Sequence, residues 1–324
     1  MYRKFYGFKE KPFGLCPDPN FLFLSSKHRM ALNYLEYGLV HELGFVLLTG
    51  DIGTGKTTLI KKFLKQIPDG VEVAVVFNTN VSSEQLLELI LDELEIEVPP
   101  GGKVASLHAL NRFLIEKDSL GQRVLLIVDE AQSLSPDALE EIRMLTNLQT
   151  DRHSLLQILF VGQQDLRVKL QHPLLTQLSQ RIGVSYHLYP LDLEETADYI
   201  SHRIRTAGGK DDQIFTREAV QRVFHHSGGI ARTINNLCDV ALVYGLAEEL
   251  EHIDGDVIDL VVKDMKEHGV FVARSDTGSA WNSMGVSRSN GGIARRLDNM
   301  EKRINQLANL IKKYVHKHPK RKRV

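Results

Sequence analysis

Eight residues, Gly50–Thr57, read G-D-I-G-T-G-K-T, and their types and spacing suit one kind of chemistry. Gly50, Gly53 and Gly55 let the backbone turn inward, so that its N–H groups face an anion. The stretch follows an apolar run, G-F-V-L-L-T, and opens a helical pattern, T-T-L-I-K-K-F-L. A strand–loop–helix of this form cradles the phosphates of a nucleotide, and the helix N-terminus adds positive potential. Asp51, Ile52, Thr54 and Thr58 complete the expected binding loop. Lys56 is expected to reach the β- and γ-phosphates, and the Thr57 hydroxyl to ligate Mg²⁺. The expected cofactors are therefore ATP and Mg²⁺.

A second acidic strand end is needed for hydrolysis. L-L-I-V-D-E supplies it, ending at Asp129-Glu130, with Asp129 falling 73 residues after Lys56. Asp129 is expected to hold Mg²⁺, directly or through water. Glu130 is expected to orient and polarise the attacking water. One strand and several helices intervene, so the Asp129 strand does not directly succeed the loop strand, as in the additional-strand class of P-loop ATPases.

Three more residues are candidates for the same site. Gln163 ends the run L-L-Q-I-L-F-V-G, where an amide can bond the γ-phosphate or the water; otherwise it is a polar loop residue. Arg181, in Q-L-S-Q-R-I, can project to the nucleotide of a neighbouring subunit as an arginine finger. Its alternative is a surface ion pair, and Arg143 and Arg167 are further candidates for the finger. Arg232, in S-G-G-I-A-R-T-I-N-N-L, opens a helix and can contact the γ-phosphate from a lid; otherwise it only starts that helix.

Alternating strands and helices must position these residues. Strand patterns fall at Gly44–Thr49, Glu72–Phe77, Arg123–Asp129, Leu155–Val161 and Val184–Leu188. Helical patterns separate them at Thr57–Gln66, Ser83–Leu94, Leu107–Lys117 and Pro136–Leu148. This order predicts an α/β fold with a parallel five-stranded sheet. Val124–Val128 is apolar without alternation, as a strand buried on both faces should be. After Pro190 only helical patterns follow: Glu194–Ala207, Thr216–His226, Ala231–Leu246 and Gly255–Glu267. The expected organisation is an arm and helix over 1–41, a core over 42–190 and a helical lid over 191–268. A Ser/Gly-rich linker over 273–292, a helix over 293–316 and a basic tail over 317–324 complete it. In that last helix Ile293, Leu297, Met300, Ile304, Leu307 and Ile311 make a heptad seam, so it reads as a short coiled coil, or as an amphipathic helix packed on its own domain.

Composition bounds the rest. The 324 residues are 43% apolar and 25% charged, ordinary for a globular protein. The net charge is -1, yet residues 291–324 hold eleven Lys/Arg against two Asp/Glu, which gives the tail a partner of its own. The expected partner is nucleic acid or an anionic membrane surface; otherwise the tail is a solvated charge run. Cys16 and Cys238 lie far apart and read as reduced thiols in a cytosolic protein. No apolar stretch is long enough for a transmembrane segment.

Together these residues resemble an AAA+ ATPase. Over residues 1–268 the chain closely resembles the ExeA (general secretion pathway protein A) type. The stretches that carry the likeness are F-Y-G-F-K-E-K-P-F-G-L-C-P-D-P-N-F-L-F-L-S, L-L-I-V-D-E-A-Q, L-L-Q-I-L-F-V-G-Q-Q-D-L, Q-R-I-G-V-S-Y-H-L and S-G-G-I-A-R-T-I-N-N-L-C-D. The resemblance implies an ATPase core with a helical lid. It implies the roles given for Gln163, Arg181 and Arg232, and an aromatic arm, with Phe13 and Pro17, near the adenine. The chain departs from the family in reading G-Q-Q-D-L and G-G-I-A-R where G-Q-P-E-L and G-G-I-P-R are frequent. It also lacks the spanning segment and peptidoglycan-binding part of ExeA itself.

The expected function is an oligomerising ATPase that drives or switches assembly of a secretion, pilus or envelope polysaccharide system. A protein partner would dock on the heptad helix, in the cytoplasm or peripherally at the inner membrane. The alternative is a DNA-associated AAA+ ATPase such as a transposition helper, using the basic tail. A DEAD-type helicase is a poor reading of D-E-A-Q, because Q-R-I-G-V lacks the second Arg of the helicase motif and the residues given are too few for the two sheet domains expected of one.

Overall fold

A computed structural model describes residues 1–267, apart from 16, 17, 78, 80, 149–153 and 210–212. Cys16, Pro17 and the linker, heptad helix and tail expected over 273–324 lie outside the described residues.

In chain order the elements are α1 (Tyr2–Phe5), α2 (Ser26–Val40), β1 (Phe45–Gly50), α3 (Lys56–Leu64), β2 (Val71–Val76), α4 (Ser83–Glu93) and α5 (Gly102–Ser119). Then come β3 (Arg123–Val128), α6 (Pro136–Leu145), β4 (Leu156–Gly162), α7 (Gln164–Leu170), α8 (Thr176–Gln180) and β5 (Ile182–Leu188). Four helices follow: α9 (Leu193–Thr206), α10 (Arg217–Ser227), α11 (Ala231–Ala247) and α12 (Gly255–Glu267). The five strands form one parallel sheet in the order β2-β3-β4-β1-β5. Strand β4 thus lies between the loop strand β1 and the acidic strand β3, while β2, which intervenes in sequence, takes the sheet edge.

Strand period explains why these sequences look uniformly apolar. On β3, Val124, Leu126 and Val128 join a core with α4, α5 and α6, while Leu125 and Ile127 join α2 and α3 on the opposite face. A central strand covered on both faces has no polar side to show. The edge strand β5 is half-exposed, which fits its mixed text I-G-V-S-Y-H-L. A third core unites α9–α12 with Tyr2, Phe8, Phe13 and Phe21 of the arm. The arm therefore packs with the helical region, and α2 packs on the sheet.

Helix starts follow local chemistry. Ser82 caps α4 in a capping box with Gln85, and Asp192 caps α9 in one with Glu195. Ser135 caps α6 with Pro136 in the first turn. The expected helix at Leu107 begins earlier, at Gly102, because the Gly101-Gly102 pair reads as a breaker in sequence yet serves as the entry to α5.

Candidate functional site

The loop after β1 and the ends of β3 and β4 converge at the carboxyl edge of the sheet, where open α/β sheets bind ligands. Thr49 pairs with Gly162, so Gly50 and Gln163 leave the sheet at the same level. A cleft of about 320 Å³ opens there, within the range of small-molecule sites. Ile52, Gly53, Thr54, Gly55, Lys56, Thr57 and Thr58 line it, with Glu130 and Arg232. Of the expected loop, Gly50 and Asp51 sit behind the lining, where the Lys56 Nζ donates to their carbonyls at 2.9 and 3.1 Å. Burial pushes the Lys56 ammonium below the ordinary lysine value, while Glu130, Asp129 and Asp51 pull it back up.

The Thr57 hydroxyl donates to Asp129 Oδ2 at 3.0 Å. A hydroxyl and a carboxylate oxygen side by side beside a phosphate loop are the hard ligands Mg²⁺ takes, so the residues fit that ion. Burial raises the Asp129 carboxyl, and hydrogen bonds from the Glu130 N–H and Thr57 lower it. Glu130 has a left-handed backbone, φ +54°. Its Oε2 accepts from Gln132 Nε2 at 2.5 Å and from Gln163 Nε2 at 3.2 Å. Gln132 Oε1 also accepts from the Gln163 N–H at 3.0 Å. Gln163 is thus brought to Glu130.

The helical region closes the cleft. The Arg232 N–H, at the start of α11, donates to the Gly53 carbonyl at 3.1 Å. A Cβ on Gly53, at φ +85°, would stand 2.6 Å from Arg232 Cβ, so only glycine admits this approach. Gly229 is tighter still: a Cβ there would lie 1.9 Å from the Leu191 carbonyl. Arg181 is exposed at the head of β5, and its Nη1 donates to the Thr146 hydroxyl at 3.0 Å. It does not line the cleft of its own chain. Arg143 is buried and tied to Glu140 at 2.7 Å, which removes it as a projecting finger. The arm supplies Gly14, Leu15, Phe21, Leu22 and Phe23 to the cleft wall. Phe13 does not belong to that wall. It is buried edge-on against Phe215, within the core that the arm shares with the helical region.

Sequence reasoning missed four contributors. His28 lines the cleft, with Nδ1 2.8 Å from Ser25 Oγ and Nε2 3.2 Å from the Thr54 carbonyl; burial lowers its pKa. A lone His in a helix start carries no signal of this. Gln132 was visible as the fourth letter of D-E-A-Q. Asn235 follows Arg232 by three residues, a helical spacing that puts both on one face. Arg203, buried within α9, had no signal at all.

Against known proteins, residues 40–170 match a family model described as AAA domain. Over 275 residues, 84% of the chain, it is 40% identical to General secretion pathway protein A of Aeromonas hydrophila. The resemblance to the general secretion pathway protein A type, read from the motifs, holds across the matched length. The chain spans half the length of that relative. Among solved structures it is similar to the ORC2 protein of Aeropyrum pernix, with TM-score 0.60 and 18% identity, covering 79% of this chain and 72% of that one. CDC6P of Pyrobaculum aerophilum has TM-score 0.60 and 18% identity, with 78% and 70% covered. The RuvB branch migration motor of Thermotoga maritima has TM-score 0.50 and 17% identity, with 77% and 72% covered. At these identities the likeness is one of fold: a P-loop AAA sheet with a helical region beside it.

Proposed function

We propose that this chain binds ATP with Mg²⁺ and hydrolyses it. The observation that carries the reading is the meeting of two pairs at neighbouring strand ends: Thr57 with Asp129 at 3.0 Å, and Glu130 with Gln163 at 3.2 Å. In this reading the N–H groups of Gly50–Thr58 hold the phosphates. Lys56 leaves the Gly50 and Asp51 carbonyls for phosphate oxygens. Thr57 and Asp129 would hold the metal, which neutralises phosphate charge when bound. Glu130 accepts the proton of the attacking water, and Gln163 holds that water or the γ-phosphate. Arg232 reports the γ-phosphate to the lid through α11, and Arg181 serves a neighbouring copy in a homo-oligomer.

The process served is proposed to be assembly of a secretion, pilus or envelope polysaccharide system, on the cytoplasmic side where ATP is supplied. The 40% identity to General secretion pathway protein A supports it. The heptad helix over 293–316 would dock the protein partner, and the basic tail a nucleic acid or anionic membrane surface. Among the described residues no helix is long and apolar enough to cross a membrane.

Two variants test the reading. Lys56→Ala should lose ATP binding and, in cells, the export or polymer assembly that the wild type supports. Glu130→Gln should keep ATP affinity while turnover falls roughly 10²- to 10⁴-fold. Wild-type turnover in Glu130→Gln would remove Glu130 from its role, and intact assembly with Lys56→Ala would separate the chain from the envelope.

A further inference from the structure

The cleft contains a polar chain that phosphate chemistry does not use. Arg203, Tyr199 and Asn235 all line it, and they are only 8%, 6% and 7% exposed. Arg203 donates through Nε to the Pro12 carbonyl at 2.5 Å and through Nη2 to the Gly14 carbonyl at 3.1 Å. Its Nη1 donates to the Tyr199 hydroxyl at 3.2 Å. The Tyr199 hydroxyl donates to Asn235 Oδ1 at 2.8 Å.

The direction of this chain is forced. A guanidinium only donates, so the Tyr199 oxygen accepts from Arg203 and passes its single proton to Asn235. Turning the Asn235 amide over would aim a second donor at that oxygen and leave the Tyr199 proton without an acceptor. The amide is therefore locked with oxygen toward Tyr199 and nitrogen away from it. That nitrogen has no hydrogen-bond partner among the described residues. It is open to the cleft and not sealed from water, so it is the donor that this wall presents to an incoming acceptor.

Position says which part of a nucleotide would supply the acceptor. Helix α11 begins on the phosphate loop, at the Arg232–Gly53 bond, and runs away from it. Asn235 comes one turn later, about 4.5 Å along the axis, on the same face. The arm's Leu15, Phe21, Leu22 and Phe23 also wall this cleft, and apolar side chains suit a flat heterocycle. We propose that Asn235 is a specificity-determining residue, whose Nδ2 donates to a ring-nitrogen acceptor of the purine. Arg203 and Tyr199 are the positioning residues that orient it. The inference rests on the ATP reading above and names the group that reads the base. Adenine N1 accepts whereas guanine N1 carries a proton, so a donor at N1 favours adenine; a donor at N3 or N7, which accept in both bases, selects a purine, and the three deaza analogues separate these positions.

Equilibrium binding of ATP, 1-deaza-, 3-deaza- and 7-deaza-ATP and 2′-deoxy-ATP to the full chain tests this. The wild type should bind one deaza analogue roughly tenfold more weakly than ATP, the equivalent of one lost hydrogen bond. Asn235→Leu should erase that difference. Asn235→Asp keeps an acceptor for Tyr199 while removing the donor, and should erase it too, which guards against a folding defect in the first variant. Equal binding of ATP and all three deaza analogues by the wild type overturns the proposal. So does a deaza penalty that survives in both variants, or a penalty confined to 2′-deoxy-ATP. Absence of any ATP binding by the wild type would instead overturn the nucleotide reading beneath it.

Discussion

Glu130 is held in a conformation that residues with a side chain rarely adopt. Its left-handed backbone costs about 1–3 kcal/mol, and local hydrogen bonds offset that cost. The Thr79 hydroxyl donates to its carbonyl at 2.8 Å, and its N–H donates to Asp129 Oδ1 at 2.9 Å. The turn swings the carboxylate off the line of β3 and onto the amides of Gln132 and Gln163. Gln132 touches both Glu130 and the Gln163 backbone, so it sets their spacing. Gln132→Ala should therefore lower ATP turnover by roughly tenfold while ATP affinity stays within about twofold, since misplaced groups cost rate rather than binding. Steady-state turnover beside equilibrium binding checks this; unchanged turnover would mean that Gln163 alone holds Glu130. That Gly50–Thr57 forms a loop after a strand, and that Asp129-Glu130 ends another, was legible in sequence, because a glycine-rich turn and an acidic end to an apolar run are local patterns. Gln132 stood in D-E-A-Q, but its contacts were not legible, because its reach depends on the backbone angle at Glu130.

The start of α2 joins three elements within four residues. Lys27 Nζ donates to the Pro190 carbonyl at 2.7 Å and to Glu195 Oε2 of α9 at 2.8 Å. Ser26 Oγ donates to Glu195 Oε1 at 2.6 Å, and His28 reaches the Thr54 carbonyl. Burial works against the Glu195 charge, but Lys27, Ser26 and the Asp192 N–H prevail and hold its carboxyl at about 2 against an ordinary 4.5. The stability it contributes is full above pH 4.5 and is lost as the pH falls from there to about 2. The Glu195→Gln protein should therefore show a flatter fall in melting temperature than the wild type across that window. His28 loses stability on the same side of neutrality, and the Glu195 carboxylate raises its pKa, so the comparison is made with His28→Gln in both proteins, which removes that contribution. Parallel melting curves would show that Glu195 is no tighter folded than unfolded. The helices and strands themselves were legible from period and punctuation. The junction was not, because its partners lie 26 to 169 residues apart.

On the scale of the whole molecule, Arg181 sits exposed at the head of the edge strand β5, outside its own cleft. A group so placed acts on a neighbour or not at all. Arg181→Ala should leave ATP affinity unchanged, and should remove the rise in specific activity with protein concentration expected of the wild type. A wild type whose specific activity is independent of concentration, or a variant that keeps the rise, would end the finger assignment. By itself the sequence determined the glycine-rich loop after the first strand, the acidic strand end, the parallel sheet and the run of helices after Pro190. Those are local matters: hydrophobic period, breakers and short motifs act within a few residues. Only the tertiary structure decided that the arm packs with the helical region, that Phe13 is buried against Phe215 and absent from the cleft wall, and that Arg203, Tyr199 and Asn235 form one directed chain. Burial and hydrogen-bond direction belong to the packed chain, and no residue carries them until its distant neighbours are in place.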